Sequence, residues 1–239
     1  MSVNILGKEY PIATTTKLNL SYKSLTELPE SIGSLYNSQE LYLYYNNLTS
    51  FPESIQMLSK LQSLNLSNNN LIGIPESIGS LSNLQELWLS NNNLTSLPES
   101  IQMLSKLQSL NLSNNNLIGI PESIGSLSNL QELWLSNNNL TSLPESIQSL
   151  SNLELLYLSN NNLTSLPESI ATHIKIEDFE LDESSYEINN LSMDCHTLVL
   201  TYIKNNITNL PPTLRTLYLK SNINVDMIKL PYGCDIIRF

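Results

Sequence analysis

Leu84-Gln85-Glu86-Leu87-Trp88-Leu89-Ser90-Asn91-Asn92-Asn93-Leu94-Thr95-Ser96-Leu97-Pro98 is the stretch on which the fold turns. It reads L-x-x-L-x-L-x-x-N-x-L-x-x-L-P and returns at 23-residue steps from Leu107, Leu130 and Leu153. Working outward in both directions gives seven units in phase, whose first positions are Thr15, Ser38, Leu61, Leu84, Leu107, Leu130 and Leu153. Apolar residues at positions 1, 4 and 6 predict a short strand, position 9 is Asn, and Leu-Pro ends the apolar run before a turn. A fixed period of this length means one stacked solenoid rather than ordinary globular domains, although 239 residues could hold two of those.

The inward positions of each unit are 1, 4, 6, 11, 14, 18 and 21, as in Leu87, Leu89, Leu94, Leu97, Ile101 and Leu104. The position-9 column is Asn46, Asn69, Asn92, Asn115, Asn138 and Asn161. An amide carries donors and an acceptor, so this column is expected to satisfy backbone groups freed where each strand turns outward. The second half of the unit, Pro98-Glu-Ser-Ile101-Gln-Met-Leu104, predicts a short helical turn on the convex side, with Pro at its first position and Glu at its positive end. The corresponding glutamates (Glu30, Glu53, Glu76, Glu99, Glu122, Glu145 and Glu168) should stack in a surface column, and helix-start chemistry accounts for them. Pro52–Gln102 is identical to Pro98–Gln148, an offset of 46 residues, so the unit of copying is a pair of repeats.

Residues 1–14 precede the first repeat. Val3, Ile5, Tyr10 and Ile12 alternate around Gly7-Lys8, which predicts a hairpin capping the solenoid end. Repeats occupy 15–175, and 176–239 carry degenerate units spaced by about 19–20 residues. Those units start at Ile176, Cys195, Leu214 and Cys234, with Asp178 and Glu180 continuing the outward columns and the last strand ending on Ile237-x-Phe239.

The net charge is −11 and the sequence pI about 4.5, which argue against a nucleic-acid groove or an anionic membrane surface. The charge favours a basic partner. No apolar stretch approaches the roughly 20 residues of a membrane span, and the first residues lack the basic start and long apolar run of a signal peptide. Cys195 and Cys234 both fall at position 1 with one strand between them, about 9–10 Å apart. A disulfide needs about 7 Å, so free thiols in a reducing compartment, the cytoplasm, are expected. The N-x-[S/T] triplets at Asn47, Asn65, Asn93, Asn111 and Asn139 are by-products of the repeat, and glycans there would obstruct the expected binding face.

The 23-residue L-P-E-S-I-x-x-L-x-x-L-x-x-L-x-L-x-x-N-x-L-T pattern resembles the intracellular leucine-rich-repeat class of Ras-suppressor and scribble-type scaffolds, over roughly residues 15–175. The C-terminal L-P-P-T-L-R-T-L-Y-L is similar to repeats of bacterial-effector and amoebal proteins, and the Asn-rich duplicated style to proteins of amoebae or their large viruses. The resemblance implies an α/β fold: a right-handed leucine-rich-repeat solenoid, with a concave parallel β-sheet and short helical turns on the convex side. It implies a non-enzymatic scaffold or adaptor that binds a protein partner through the concave face. A secreted or surface-displayed adhesion protein is one alternative. A regulatory subunit of a ligase, phosphatase or Ras-like GTPase system is another.

No catalytic residue, cofactor or metal site is expected. His173 and His196 lack metal-ligand spacing, and the effector-ligase C-x-D motif is absent. No G-x-S-x-G or phosphate-cradling glycine loop occurs, and the acidic run from Glu177 to Glu183 has no calcium-loop glycine. The informative residues point outward from the strands. Position 3 runs Lys17, Glu40, Ser63, Glu86, Ser109, Glu132, Leu155, and position 5 runs Asn19, Tyr42, Asn65, Trp88, Asn111, Trp134, Tyr157. Large aromatics on an open sheet are interface anchors, and neighbouring carboxylates attract a basic surface. The expected partner-binding residues are Glu40, Tyr42, Glu86, Trp88, Glu132, Trp134 and Tyr157. Trp88 and Trp134 should stand roughly 10 Å apart, two strand spacings. The expected partner is a protein with a basic surface, with no nucleic acid or membrane, bound by a monomer of this chain.

Overall fold

The computed structural model describes residues 1–163, 167, 175–177, 197–200, 210, 212, 214–219, 221–222 and 224–238. Strands β1 (Ser2–Ile5) and β2 (Lys8–Pro11) pair antiparallel. Leu6 and Gly7 both have positive φ at the turn, which matches the twist of a two-residue hairpin. Val3 and Ile5 are buried, and β1 packs against the first helical turn, so the hairpin covers apolar core at that end.

Eight short strands follow in one parallel sheet, in sequence order: β3 (Lys17–Asn19), β4 (Glu40–Tyr42), β5 (Ser63–Asn65), β6 (Glu86–Trp88), β7 (Ser109–Asn111), β8 (Glu132–Trp134), β9 (Leu155–Tyr157) and β10 (Lys175–Glu177). From β3 to β9 like positions pair, 23 residues apart. A second parallel sheet holds β11 (Thr197–Leu200), β12 (Thr216–Leu219) and β13 (Asp235–Arg238), with β11 beside β10.

Leucines and isoleucines at the inward positions form the core; Leu84, Leu87, Leu89, Leu94, Ile101 and Leu104 are fully buried. The convex turns, such as Glu99–Met103, are five-residue 3₁₀ helices. Ile101 inside the helix and Leu104 at its C-terminal cap are three residues apart, the 3₁₀ period, and both are buried. Backbone bonds follow the same step, from Ile101 N–H to Pro98 O, Leu104 N–H to Ile101 O and Leu107 N–H to Leu104 O. Proline is not the first helical residue as expected. Pro98 is extended (φ −72°, ψ 151°) and flanks the helix, where its carbonyl accepts the first of these bonds.

The position-9 amides hold adjacent coils together. Asn92 donates to Leu66 O and Leu89 O, each at 3.0 Å, and accepts from Leu71 N–H at 3.0 Å. The same pattern repeats at Asn69, Asn115, Asn138 and Asn161.

On the convex side the repeats are not equivalent. Glu76 Oε2 accepts from Ser100 N–H of the following repeat at 3.1 Å, and Glu30 and Glu122 accept from Ser54 and Ser146 in the same way. These glutamates belong to turns that carry glycine. A Cβ on Gly79 would lie 2.9 Å from both Ser100 Cβ and Ser100 O, and Gly33 and Gly125 face Ser54 and Ser146 as closely. Glycine permits the close approach, so the helical turns associate in twos.

Two strand registers differ from the sequence expectation. β10 aligns Lys175 with Leu155 and Glu177 with Tyr157, so these, rather than Asp178 and Glu180, continue the position-3 and position-5 columns. Ile174-Lys-Ile176 alternates as Phe179-Glu-Leu181 does, so either frame offers apolar residues to the core. In β13, Ile236 rather than Ile237 aligns with Leu217. A one-residue slip exchanges the faces: Ile236 packs on the core and Ile237 is exposed. Cys234 is a half-buried free thiol aligned one step before the Asp235–Thr216 pair, with Arg215 rather than Leu214. Cys195, His173, His196 and the run Asp178–Glu183 lie outside the described residues.

Candidate functional site: an aromatic and carboxylate stripe on the concave face

The parallel register carries every expected binding residue to one face. Glu40, Glu86 and Glu132 share the position-3 column, and Tyr42, Trp88, Trp134 and Tyr157 share the position-5 column. Alternation sends Leu41, Leu87, Leu133 and Leu156 into the core between them.

The two tryptophan rings are closer than the two strand spacings between them predict. Trp88 and Trp134 have centroids 5.4 Å apart at 33°, and Trp134 and Tyr157 stack at 5.7 Å and 7°. The intervening Asn111 makes this possible, because its Oδ1 turns to accept from Ser113 N–H at 3.0 Å. The three rings are half-buried against one another and form a continuous aromatic surface.

Carboxylates hold the ring edges. Tyr42 OH donates to Glu40 Oε2 at 2.8 Å, and Trp88 Nε1 to Glu86 Oε2 at 3.5 Å, both within one strand. Ser63 Oγ donates to Glu86 Oε2 at 2.9 Å. Lys17 on β3 bonds Glu40 Oε2 at 2.6 Å and lies 4.9 Å from the Tyr42 ring centroid. The Lys17 ammonium, then the Tyr42 hydroxyl, hold the Glu40 carboxyl below its usual range, while Glu40 raises Lys17.

A second aromatic group was not singled out in the sequence. Tyr22 stacks on Tyr45 at 4.7 Å, and Tyr44 meets both edge-on, at 5.3 Å from Tyr22 and 6.0 Å from Tyr45. Tyr44 also lies 6.4 Å from Tyr42, joining the group to the stripe. Tyr22 and Tyr45 occupy position 8, which has positive φ in all seven repeats and is Asn in the other five. A bulky residue pays steric strain there that Asn tolerates. The available signal was the substitution of Tyr44-Tyr45 for the usual Ser-Asn.

Among the described residues, no group of three or more His, Cys, Asp or Glu side chains could hold a metal ion. No helix among them is long and apolar enough to cross a membrane.

A family model for a leucine-rich repeat region matches residues 57–141, and one for the leucine rich repeat matches residues 13–71 and 120–170. The chain is a leucine-rich repeat protein. No curated protein sequence matches this leucine-rich repeat protein significantly. Among solved structures it is similar to a leucine-rich repeat protein of Leptospira interrogans, at 33% identity and a TM-score of 0.72, over 92% of this chain and 61% of that one. It is also similar to a chain of the PEPR1-AtPEP1 structure, at 32% identity and a TM-score of 0.70, over 93% of this chain and 34% of that one. The plant peptide hormone receptor RGFR1 in complex with RGF2 gives 26% identity and a TM-score of 0.65, over 88% of this chain and 42% of that one. The leucine-rich repeat protein thus spans less than two thirds of each of these chains.

Proposed function

We propose that the concave face binds a protein partner with a basic surface, making this chain a non-enzymatic interaction module. The observation that carries this reading is the contiguous Trp88–Trp134–Tyr157 surface edged by Glu86 and Glu132. Tryptophan and tyrosine rings held rigidly on a sheet are the residues that most often anchor interfaces. The carboxylates beside them supply steering toward positive charge, in keeping with a net charge of −11. Two of the similar structures are described as a peptide hormone receptor with its ligand and as a PEPR1-AtPEP1 assembly, which supports a peptide-sized or protein ligand here.

The cytoplasm is the compartment we propose. Asn65 and Asn111, each in an N-x-[S/T] triplet, sit within the position-5 column, where a glycan would cover the rings.

The test is capture of a partner from the source cell on immobilised protein. Trp88→Ala with Trp134→Ala should weaken binding at least tenfold while circular dichroism shows the fold intact. The convex pair Glu53→Ala with Glu99→Ala should leave capture unchanged. Normal capture by the tryptophan double variant rules out the concave stripe.

A further inference from the structure

We propose that Glu86 and Trp88 form a seat for one arginine side chain of the protein partner, and that the couple Glu132/Trp134, identical in sequence, does not. The inference rests on the concave-face reading and names the group that the partner inserts there.

A comparison inside the molecule shows such a seat already filled. Glu40 and Tyr42 are the position-3 and position-5 residues of β4, and Lys17 is the position-3 residue of the strand before it. The Lys17 ammonium bonds Glu40 Oε2 at 2.6 Å and lies 4.9 Å from the Tyr42 ring centroid. Carboxylate and ring therefore hold one cation jointly, supplied from the preceding strand. For Glu86 and Trp88 the preceding strand is β5, and Ser63 stands in Lys17's register. Ser63 Oγ donates to Glu86 Oε2 at 2.9 Å and Trp88 Nε1 donates to the same oxygen at 3.5 Å, which fixes the carboxylate beside the ring. Among the described residues, no lysine or arginine pairs with Glu86, so this seat has no cation of its own chain.

The neighbouring rings decide which couple is open. Tyr42 and Trp88 border the place above β5, but their ring contacts are with Tyr44 and Trp134, so they do not meet there. Between them Asn65 folds back, its Oδ1 accepting from Ser67 N–H at 3.0 Å, and no ring covers Trp88 on that side. The corresponding place for Glu132 and Trp134 lies above β7. There the Trp88 and Trp134 rings close together at 5.4 Å, and Tyr157 stacks on Trp134 at 5.7 Å. Trp134 is sandwiched and offers no open face. Glu132 is also half-buried where Glu86 is exposed, and among the described residues no hydrogen bond holds it in place. The open indole face of Trp88 selects arginine, because a planar guanidinium stacks flat on an aromatic ring while its N–H groups reach a carboxylate.

The experiment titrates the isotope-labelled full chain with N-acetylarginine amide and with its uncharged isostere, N-acetylcitrulline amide. The chain has two tryptophans, so its NMR spectrum carries two indole N–H signals, told apart by Trp88→Phe. The arginine probe should move the Trp88 signal saturably and at least threefold further than the Trp134 signal, and the citrulline probe should move neither. Glu86→Gln should remove at least tenfold of the affinity, and Glu132→Gln less than threefold. Ser63→Lys should block the probe, because the new lysine takes Glu86 as Lys17 takes Glu40. Equal response to arginine and citrulline, equal losses in the two glutamine variants, or no movement of either signal at the solubility limit of the arginine probe would overturn the proposal. If the probe fails while Trp88→Ala with Trp134→Ala still abolishes partner capture, the arginine seat is wrong and the concave interface stands.

Discussion

At the scale of single residues, the position-9 asparagines and the position-5 aromatics look alike in the sequence, as polar or large residues recurring in phase. Burial separates them. Asn92 is buried and its amide serves two carbonyls and an N–H from two coils. Asn92→Ala removes the partner of the buried Leu71 N–H, a loss of about 1–3 kcal/mol, while Leu66 O and Leu89 O each keep one amide donor, from Asn69 and Asn115. We expect a loss of about 1–3 kcal/mol, measured by urea unfolding, with Asn93→Ala as an exposed neighbour that changes stability by less than about 0.5 kcal/mol. Trp88 and Trp134, by contrast, give their rings to the surface and to each other. The left-handed backbone at Tyr22 and Tyr45 belongs with the second group: strain tolerated where two rings then stack in the open.

The elements show why the repeat pair, rather than the single repeat, is the physical unit. Each glycine-bearing 3₁₀ turn approaches the next turn so closely that a methyl group would press on backbone. Gly79→Ala should therefore cost about 1–3 kcal/mol, the usual penalty of overpacking. At Gly73 an added methyl group would meet nothing within 4 Å, and its φ is not positive, so Gly73→Ala should be neutral or stabilise by about 0.4–1 kcal/mol. Thermal unfolding of the two variants separates the cases. The strands, the helical turns and the concave columns were legible because a 23-residue pattern repeated in phase leaves one frame in which Leu is always inside. The register of β10 and β13 was not, since Ile174, Ile176, Phe179, Ile236 and Ile237 let more than one frame bury apolar residues. The ring contacts were hidden for another reason. Strand spacing alone places Trp88 and Trp134 too far apart to touch, and only the folded-back Asn111 opens the space between them.

For the whole molecule, stability is close to a sum over coils and their interfaces, as in any stacked solenoid. Removing Glu53–Pro98 joins Pro52 to Glu99 and keeps both the inward leucine frame and the alternation of glycine-bearing turns. The shortened chain should unfold cooperatively, with a smaller dependence on denaturant in proportion to the surface lost. Deleting ten residues from the same region displaces every inward position and should abolish the cooperative transition. Equal cooperativity in both would mean that the frame is wrong. The near-perfect internal copy carries an implication for inheritance. An unequal crossover between the two copies adds or removes 46 residues, and every product contains whole pairs, each with its glycine contact and its Glu/Trp couple. Foldable length variants can therefore arise in single genetic steps. Each step would change the number of Glu/Trp couples carried on the concave face, so that the extent of that face becomes a trait set by copy number rather than by point mutation.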